Sequence, residues 1–498
     1  MIAANNDEDV YIRHAGVLAL SRIGKVESMV ALANNPSKAL RTAAVLVLRR
    51  MKNDNIALFL NDKDEYIVAE AARGINDDLS IPGALPALAA KLQDKSITSD
   101  VILRRAINAA LRVGTDKELD LLVGFATRTD IKDDVKAEAL ATLGTWANPS
   151  VLDRVDGRYR GKIERDPAGV RAKVMPHVAN FLKEKNAESL IAVAGLLADL
   201  KITSTNAQLA ELYDATTDPK VKAAILPALN QLSYAQMDAL IKKGMDDKDE
   251  SVRTVALGLL DNKNVTKESL PAIVSSIFTK GTVREQQKML EVLGKMEADK
   301  TQVILGDLID QLAAKKLSPN LSLELKEAVD ASGVATLKTK MASLKPNASA
   351  LDEYAETMYG GNRFQGRNIF NTNSTAQCVR CHAVGGTGGA VGPALTHIGD
   401  VLTREQLLQA LVEPSARIAP GFGSVSLTLK DGQVVNGTLA KETAEELTIN
   451  TSDAEPLVIP VARITKRENM PSGMPPMGSL LSKREIRDVI EYLANLKK

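Results

Sequence analysis

From the first residues to about Leu344, apolar positions recur at helical spacing and polar turns interrupt them at a near-constant interval. Leu103, Ile107 and Leu111, with Val113 near the end, follow the three-to-four-residue period of a helix face. A β-branched or leucine anchor followed by a basic or polar residue opens unit after unit. It occurs as Ile12-Arg13-His14-Ala15, Leu40-Arg41-Thr42-Ala43, Leu103-Arg104-Arg105-Ala106 and Val135-Lys136-Ala137-Glu138. It returns as Val170-Arg171-Ala172, Val221-Lys222-Ala223, Val252-Arg253-Thr254 and Val283-Arg284-Glu285. The anchors at 103, 135 and 170 are 32 and 35 residues apart, and those at 221, 252 and 283 are 31 and 31 apart. Such a period belongs to stacked helix pairs, each too small to bury its apolar stripe alone. Asp130–Asp134, Asp166-Pro167, Asp218-Pro219 and Asp247–Glu250 precede the anchors, as helix caps and starts should. The units are short HEAT-like repeats over residues 1–345. The polar, glycine-interrupted stretch Asp153–Asp166 (DRVDGRYRGKIERD) reads as a loop between two of them.

The pattern ends in a Pro/Asn/Ser/Ala segment that predicts a linker at 346–350, with a separate domain over 351–498. Glycine is dense from Gly360 to Gly399. Between about 423 and 464 the period drops to two: Val425, Leu427 and Leu429 alternate, as do Leu447/Ile449 and Leu457/Ile459/Val461, and Asp431-Gly432 supplies a tight turn. A small antiparallel sheet of about four strands is expected there. The last segment is helical again. Ser482 and Glu485 form a capping box, and Ile486, Val489, Ile490, Leu493 and Leu496 form one apolar stripe.

Composition narrows the class. Lys and Arg number 63 against 62 Asp and Glu, a net charge of +1 that argues against a nucleic-acid binder. Aromatic residues are only 3%, which disfavours a large β-propeller or sandwich and leaves a mostly helical chain. No apolar run is long enough to span a bilayer.

Both cysteines of the chain fall in Cys378-Val379-Arg380-Cys381-His382, the C-x-x-C-H attachment motif of c-type haem. Two thiols on one turn can each add to a vinyl group of the porphyrin, and the adjoining histidine then faces the iron. A structural zinc site would need a second ligand pair, and a thioredoxin-like motif would need a βαβ context and leaves His382 unexplained. The implied cofactor is one covalent haem c with its iron. A sixth ligand is expected on a loop ahead of the C-terminal helix, where Asn469-Met470-Pro471-Ser472-Gly473-Met474-Pro475-Pro476-Met477 offers three thioethers. Met474 is the first choice, with Met477 and Met470 as alternatives; methionines left over would be soft packing around the ring. Gly392-Pro393-Ala394-Leu395 follows the motif, and the Pro393 carbonyl is expected to accept from His382 Nδ1 and set its tautomer. His397 reads as a surface or propionate neighbour or as a rival ligand, and His14 and His177 as residues of the repeat helices.

These pieces carry a resemblance. GNRFQGRNIF, CVRCH, GGAVGPALTHIG, LVEPSARI, DGQVVNGTLAKET and MPPMGSLLSKREIRDVIEYL, in that order over about 140 residues, resemble the C-terminal domain of PVC-type haem-binding CxxCH proteins. The upstream HEAT-like repeats and DRVDGRYR are similar to that family as well. The resemblance implies a class I cytochrome c-like helical domain behind an α-solenoid, with the sheet as an insertion. Family members often have, further upstream, a propeller resembling sugar dehydrogenases, and no segment here looks like one.

The functional expectation is one-electron transfer by a His382/Met474-ligated haem, with the repeats as a docking scaffold. The partner would be a redox protein or an upstream dehydrogenase domain. Haem attachment to C-x-x-C-H takes place outside the bacterial cytoplasm, whereas no signal peptide opens the sequence. A fragment of a longer exported, periplasmic protein is therefore expected. A peroxidase-like haem with an open iron site, or a haem sensor, is the alternative. Lys466, Arg467, Lys483 and Arg484 flank the ligand loop and read as a solvated face or as steering charges for an acidic partner.

Overall fold

The computed structural model describes residues 1–77, 81–261, 263–344, 349–419, 421–451 and 455–498. The chain is mostly helical, with a small antiparallel sheet. It divides into two compact units, Met1–Leu259 and Leu260–Lys498.

In the first unit, successive helices form a stacked row. Lys38–Arg50, Glu65–Asn76, Asp100–Val113, Asp133–Gly144, Ala187–Asp199, Pro219–Gln231 and Glu250–Gly258 each pack on the next. Asp166, Asp218 and Asp249 are N-caps whose carboxylates accept from the first-turn amides. The anchors Leu103, Val135, Val170, Val221 and Val252 are all buried, while Ile12 is 37% exposed. In several units the basic residue beside the anchor has a role that periodicity does not reveal, because it reaches an acidic residue further along the array; Arg171 instead donates to the Leu200 carbonyl and Arg13 pairs back with Asp7. Arg41 Nε bonds Asp62 Oδ2 at 2.7 Å with both side chains buried. Lys136 likewise meets Glu184 at 2.5 Å, and Lys222 meets Asp247 at 2.8 Å. A ladder of this kind fixes the stagger between units, since each charge is satisfied in one register only.

The Asp153–Asp166 stretch is a loop, and it is fastened down. Leu152 and Tyr159 form a single antiparallel bridge. The buried Asp153 carboxylate accepts from Arg160 Nε at 2.9 Å, Asn108 Nδ2 at 2.8 Å and Val155 N at 2.8 Å. Burial alone would raise its pKa, but these donors together hold it below the usual carboxylate range. Arg165 caps the neighbouring helix by donating to the Leu111 and Trp146 carbonyls.

The second unit joins the last repeats to the C-terminal domain. Most of the expected linker, 346–348, lies outside the described residues, and the packing division falls upstream of it, at Leu259/Leu260. The physical reason is a set of contacts from the C-terminal helix, Lys483–Ala494, to the repeat helix Ser322–Ser332. Arg487 forms a buried ion pair with Glu324, and Arg484 pairs with Glu327 at 2.5 Å. Gln287 Nε2 also donates to the Gly360 and Asn320 carbonyls, both at 2.9 Å.

The C-terminal helix starts at the Ser482/Glu485 capping box and buries Ile486, Val489, Ile490 and Leu493. It crosses helix Arg363–Thr372 closely, with Phe370 and Tyr492 ring centroids 5.6 Å apart. Leu407, Leu408, Leu411 and Val412 of helix Arg404–Val412 complete this core.

The inserted sheet has five strands, one more than the sequence pattern predicts. After a two-stranded hairpin, β1 (Ala383–Val384) with β2 (Thr387–Gly388), they are β3 (Ser424–Leu429), β4 (Val434–Glu442), β5 (Glu446–Asn450), β6 (Leu457–Pro460) and β7 (Ile464–Asn469), in the spatial order β6-β5-β4-β3-β7. The unforeseen strand is β7, sequence ITKREN, an edge strand whose residues after Ile464 are exposed and carry no alternation to read. Val425, Leu427, Leu429, Leu447, Ile449 and Ile459 form the sheet's own core as their alternation requires. Leu457 and Val461 do not join it; each is 40% exposed, because β6 is the opposite edge and Val461 already begins a 3₁₀ turn.

Candidate cofactor site

Cys378–Cys381 forms a single helical turn, entered through Gln377 in the left-handed region at φ 46°. A spacing of three places both sulfurs on one side of the turn. Both are free thiols; Cys378 is half-buried and Cys381 exposed. Burial pushes the Cys378 thiol pKa up. His382 leaves the turn in extended conformation, its amide donating to the Cys378 carbonyl at 3.0 Å.

The following segment doubles back on this turn. A short hairpin, β1 (Ala383–Val384) with β2 (Thr387–Gly388), begins the return, a feature the glycine-rich sequence had hidden. Gly392 N then donates to the Cys381 carbonyl at 2.8 Å, and Leu395 N to the Ala383 carbonyl at 2.8 Å. These bonds bring the Pro393 carbonyl oxygen to 2.9 Å from His382 Nδ1. A carbonyl only accepts, so Nδ1 carries the proton and the Nε2 lone pair is left for another partner. Gly392 makes the arrangement possible: a Cβ there would lie 2.6 Å from His382 Cε1, leaving no room for the imidazole in this position.

The three candidate methionines separate by environment. Met477 is 3% exposed and belongs to the helical core. Met470 continues β7, its amide donating to the Ser424 carbonyl at 2.9 Å, and is 49% exposed. Met474 is half-buried and packs on the same apolar core as Cys378, Val379, Val384 and Leu395. Its amide donates to Ser472 Oγ at 3.1 Å, and Ser472 N donates to Ser415 Oγ at 3.1 Å. Beyond the prolines, Tyr354 OH donates to the Gly478 carbonyl at 3.1 Å. Nothing in the sequence marks Ser415, Ser472 or Tyr354 beyond a serine directly after each of Pro414 and Pro471.

Other expected participants stand apart from this arrangement. His397 is exposed just before a short helix. His14 is exposed on helix Val10–Ile23, and His177 stacks near Phe181 with ring centroids 6.2 Å apart. The four flanking cations are each neutralised locally: Lys466 by Glu468, Arg467 by Glu442, Lys483 by Glu356 and Arg484 by Glu327. Pairing of that kind removes most of the long-range field that steering of an acidic partner would need.

Among the described residues, no group of three or more His, Cys, Asp or Glu side chains is placed to hold a metal ion by itself. The donor set is instead two thiols on one turn, an imidazole held through Nδ1 and a half-buried thioether, of which Cys378 and Met474 border the apolar core. That set fits a flat apolar macrocycle that brings its own metal and needs only axial ligands from the protein.

A scan of protein families finds no match. The chain is similar to a protein named cytochrome c oxidase subunit 2 from Alkalihalophilus pseudofirmus, 45% identical over 53 residues, or 11% of this chain. That match spans 14% of the relative's length. Solved structures include the CpcE–CpcF complex of phycocyanin lyase from Nostoc sp. PCC7120, at 17% identity and TM-score 0.28 over 58% of this chain and 94% of that one. An engineered protein is similar at 14% identity and TM-score 0.33, over 70% of this chain and 95% of its own. No helix among the described residues is long and apolar enough to cross a membrane.

Proposed function

We propose that the C-terminal domain is a one-electron carrier holding a single haem c, with Cys378 and Cys381 as thioether anchors and His382 and Met474 as axial ligands. The observation that carries this reading is the 2.9 Å contact between His382 Nδ1 and the Pro393 carbonyl, formed beside two free thiols on one helical turn. An imidazole fixed through Nδ1 presents Nε2 in one direction, and its basicity rises through the same hydrogen bond. When bound, the haem supplies a reversible ferric/ferrous couple, and His/Met ligation places its potential on the oxidising side. The protein's part is to orient the imidazole, hold the thioether, and keep water from the apolar rim formed by Val379, Val384 and Leu395.

The partial likeness to a cytochrome oxidase subunit and the resemblance to PVC-type haem-binding CxxCH proteins support the same reading. On it, the repeats are a docking scaffold for a redox partner or an upstream dehydrogenase domain. The chain then works in an exported compartment, where haem attachment takes place.

Protein made in a host that exports it and attaches haem c should show the reduced pyridine haemochrome of a doubly thioether-linked haem and one added haem by intact mass. Cys378→Ser and Cys381→Ser should each leave a single linkage. An intact mass without haem on the unaltered chain ends this proposal. Met474→Ala should abolish the methionine-to-iron charge-transfer band, while Met470→Ala, at an exposed site, should leave it in place. A peroxidase-like open site predicts instead that the unaltered protein lacks the band.

A further inference from the structure

We infer that Ser472 and Ser415 are positioning residues for the sixth iron ligand, a two-hydroxyl clamp that holds the Met474 thioether in place; this rests on the reading of Met474 as axial ligand. The segment 470–476 runs between the end of β7 and the 3₁₀ turn Met477–Ser479, with no regular structure of its own. A free segment of that length would leave the sulfur with many positions, and ordering it at binding would weaken the iron bond. The hydroxyls remove that freedom in series. Met474 N donates to Ser472 Oγ at 3.1 Å, closing a tight side-chain turn around Gly473. Ser472 N donates to Ser415 Oγ, also at 3.1 Å. Ser415 follows the buried Pro414 at the end of helix Arg404–Val412, whose Leu411 and Val412 sit in the core that Cys378 borders. The clamp therefore refers the thioether to the same apolar body as the haem-anchoring turn.

The clamp also closes the base of the inserted sheet. Ser415 and Ser472 lie 57 residues apart in sequence, on either side of β3–β7. Val425 of β3 pairs with Asn469 of β7, so the insertion leaves and rejoins the domain at one place. The Ser472–Ser415 bond adds a polar tie at the Met474 end of a loop whose other end is held by Met477 in the core and by Tyr354 OH on the Gly478 carbonyl.

The test uses the haem-loaded full chain and imidazole as a competing ligand for the methionine position. Ser472→Ala and Ser415→Ala should keep covalent haem by pyridine haemochrome and keep the melting profile of the unaltered protein. Both should bind imidazole about three- to tenfold more tightly, as loss of one hydrogen bond from the thioether-bound state requires. Ser472→Thr retains the oxygen and should restore the original imidazole affinity, a rescue that a merely structural role would not produce. Unchanged imidazole affinity in Ser472→Ala, with the charge-transfer band intact in the unaltered protein, overturns the clamp while leaving the electron-carrier reading standing. Absence of the band from haem-loaded unaltered protein overturns the assignment of Met474 and the clamp with it.

Discussion

Glu324→Ala should destabilise the second unit by about 3–5 kcal/mol, because it strands a guanidinium in the protein interior. Arg487 and Glu324 side chains are 8% and 3% exposed, and they join the C-terminal helix to the repeat helix Ser322–Ser332. The pair is imperfectly satisfied: among the described residues, Glu324 Oε2 and Arg487 Nε have no hydrogen-bond partner. This geometry separates the two kinds of replacement. Removing Glu324 leaves Arg487 buried with only the more distant Asp488 carboxylate, 3.9 Å from its Nε, whereas replacing both partners by apolar residues of similar volume removes the desolvation cost together with the attraction. Glu324→Leu combined with Arg487→Met should therefore recover most of the loss from either single change. Urea unfolding of Glu324→Ala, Glu324→Leu, Arg487→Met and the double variant, followed by near-ultraviolet circular dichroism, reads the comparison. A single variant as stable as the unaltered protein would show that this pair does not fasten the helix to the repeats.

The second large effect is expected at Gly366. In helix Arg363–Thr372 this glycine faces the C-terminal helix so closely that a Cβ would lie 1.8 Å from the Asp488 carbonyl oxygen and 2.5 Å from its carbon. Both are backbone atoms, so no side-chain rotation relieves the clash and the helices must separate. Gly366→Ala should cost about 3 kcal/mol or more, at the upper end for overpacking, and Gly366→Val should cost more. The Phe370–Tyr492 contact next to the crossing should be lost with it. Gly306 supplies the opposite case within the same unit: its added Cβ would meet Leu337 Cδ2 at 3.6 Å, an ordinary contact in a helix interior. Gly306→Ala should raise stability by about 0.5–1 kcal/mol through helix propensity alone. Thermal melts of the two variants should move in opposite directions, and a Gly366→Ala melt that rises would mean the crossing is looser than described.

The two predictions concern the frame on which the proposed haem site rests. The C-terminal helix contributes Ile486, Val489, Ile490 and Leu493 to the core that Cys378 and Met474 border. Opening that core should lower the yield of haem-loaded protein in Gly366→Ala even where Cys378, Cys381 and His382 are untouched. Imidazole affinity measured on the Gly366→Ala protein that does load would show whether the disturbance reaches the Met474 side.

Local chemistry was legible in the chain from the start. The repeat period, the aspartate caps, the Ser482/Glu485 box, the alternation of β3 and β5 and the C-x-x-C-H spacing all depend on residues within a few positions of one another. Helical and extended backbones impose those periods directly, so side-chain order alone reports them. Contacts between distant positions had no such signal. The Ser472 partner is 57 residues away and the Arg487 partner 163, whereas the Pro393 carbonyl, only eleven residues from His382, was already expected from the Gly392-Pro393 segment after the motif. Strand β7 stayed hidden because an edge strand with solvent on both faces needs no apolar alternation. The basic residue after each anchor was visible as a pattern, but its acidic partner became identifiable only once the helices were stacked. The composition of the units and the donor types of the site followed from the sequence; which donors face one another, and how firmly, was decided by tertiary packing, because desolvation and close approach exist only after the elements meet.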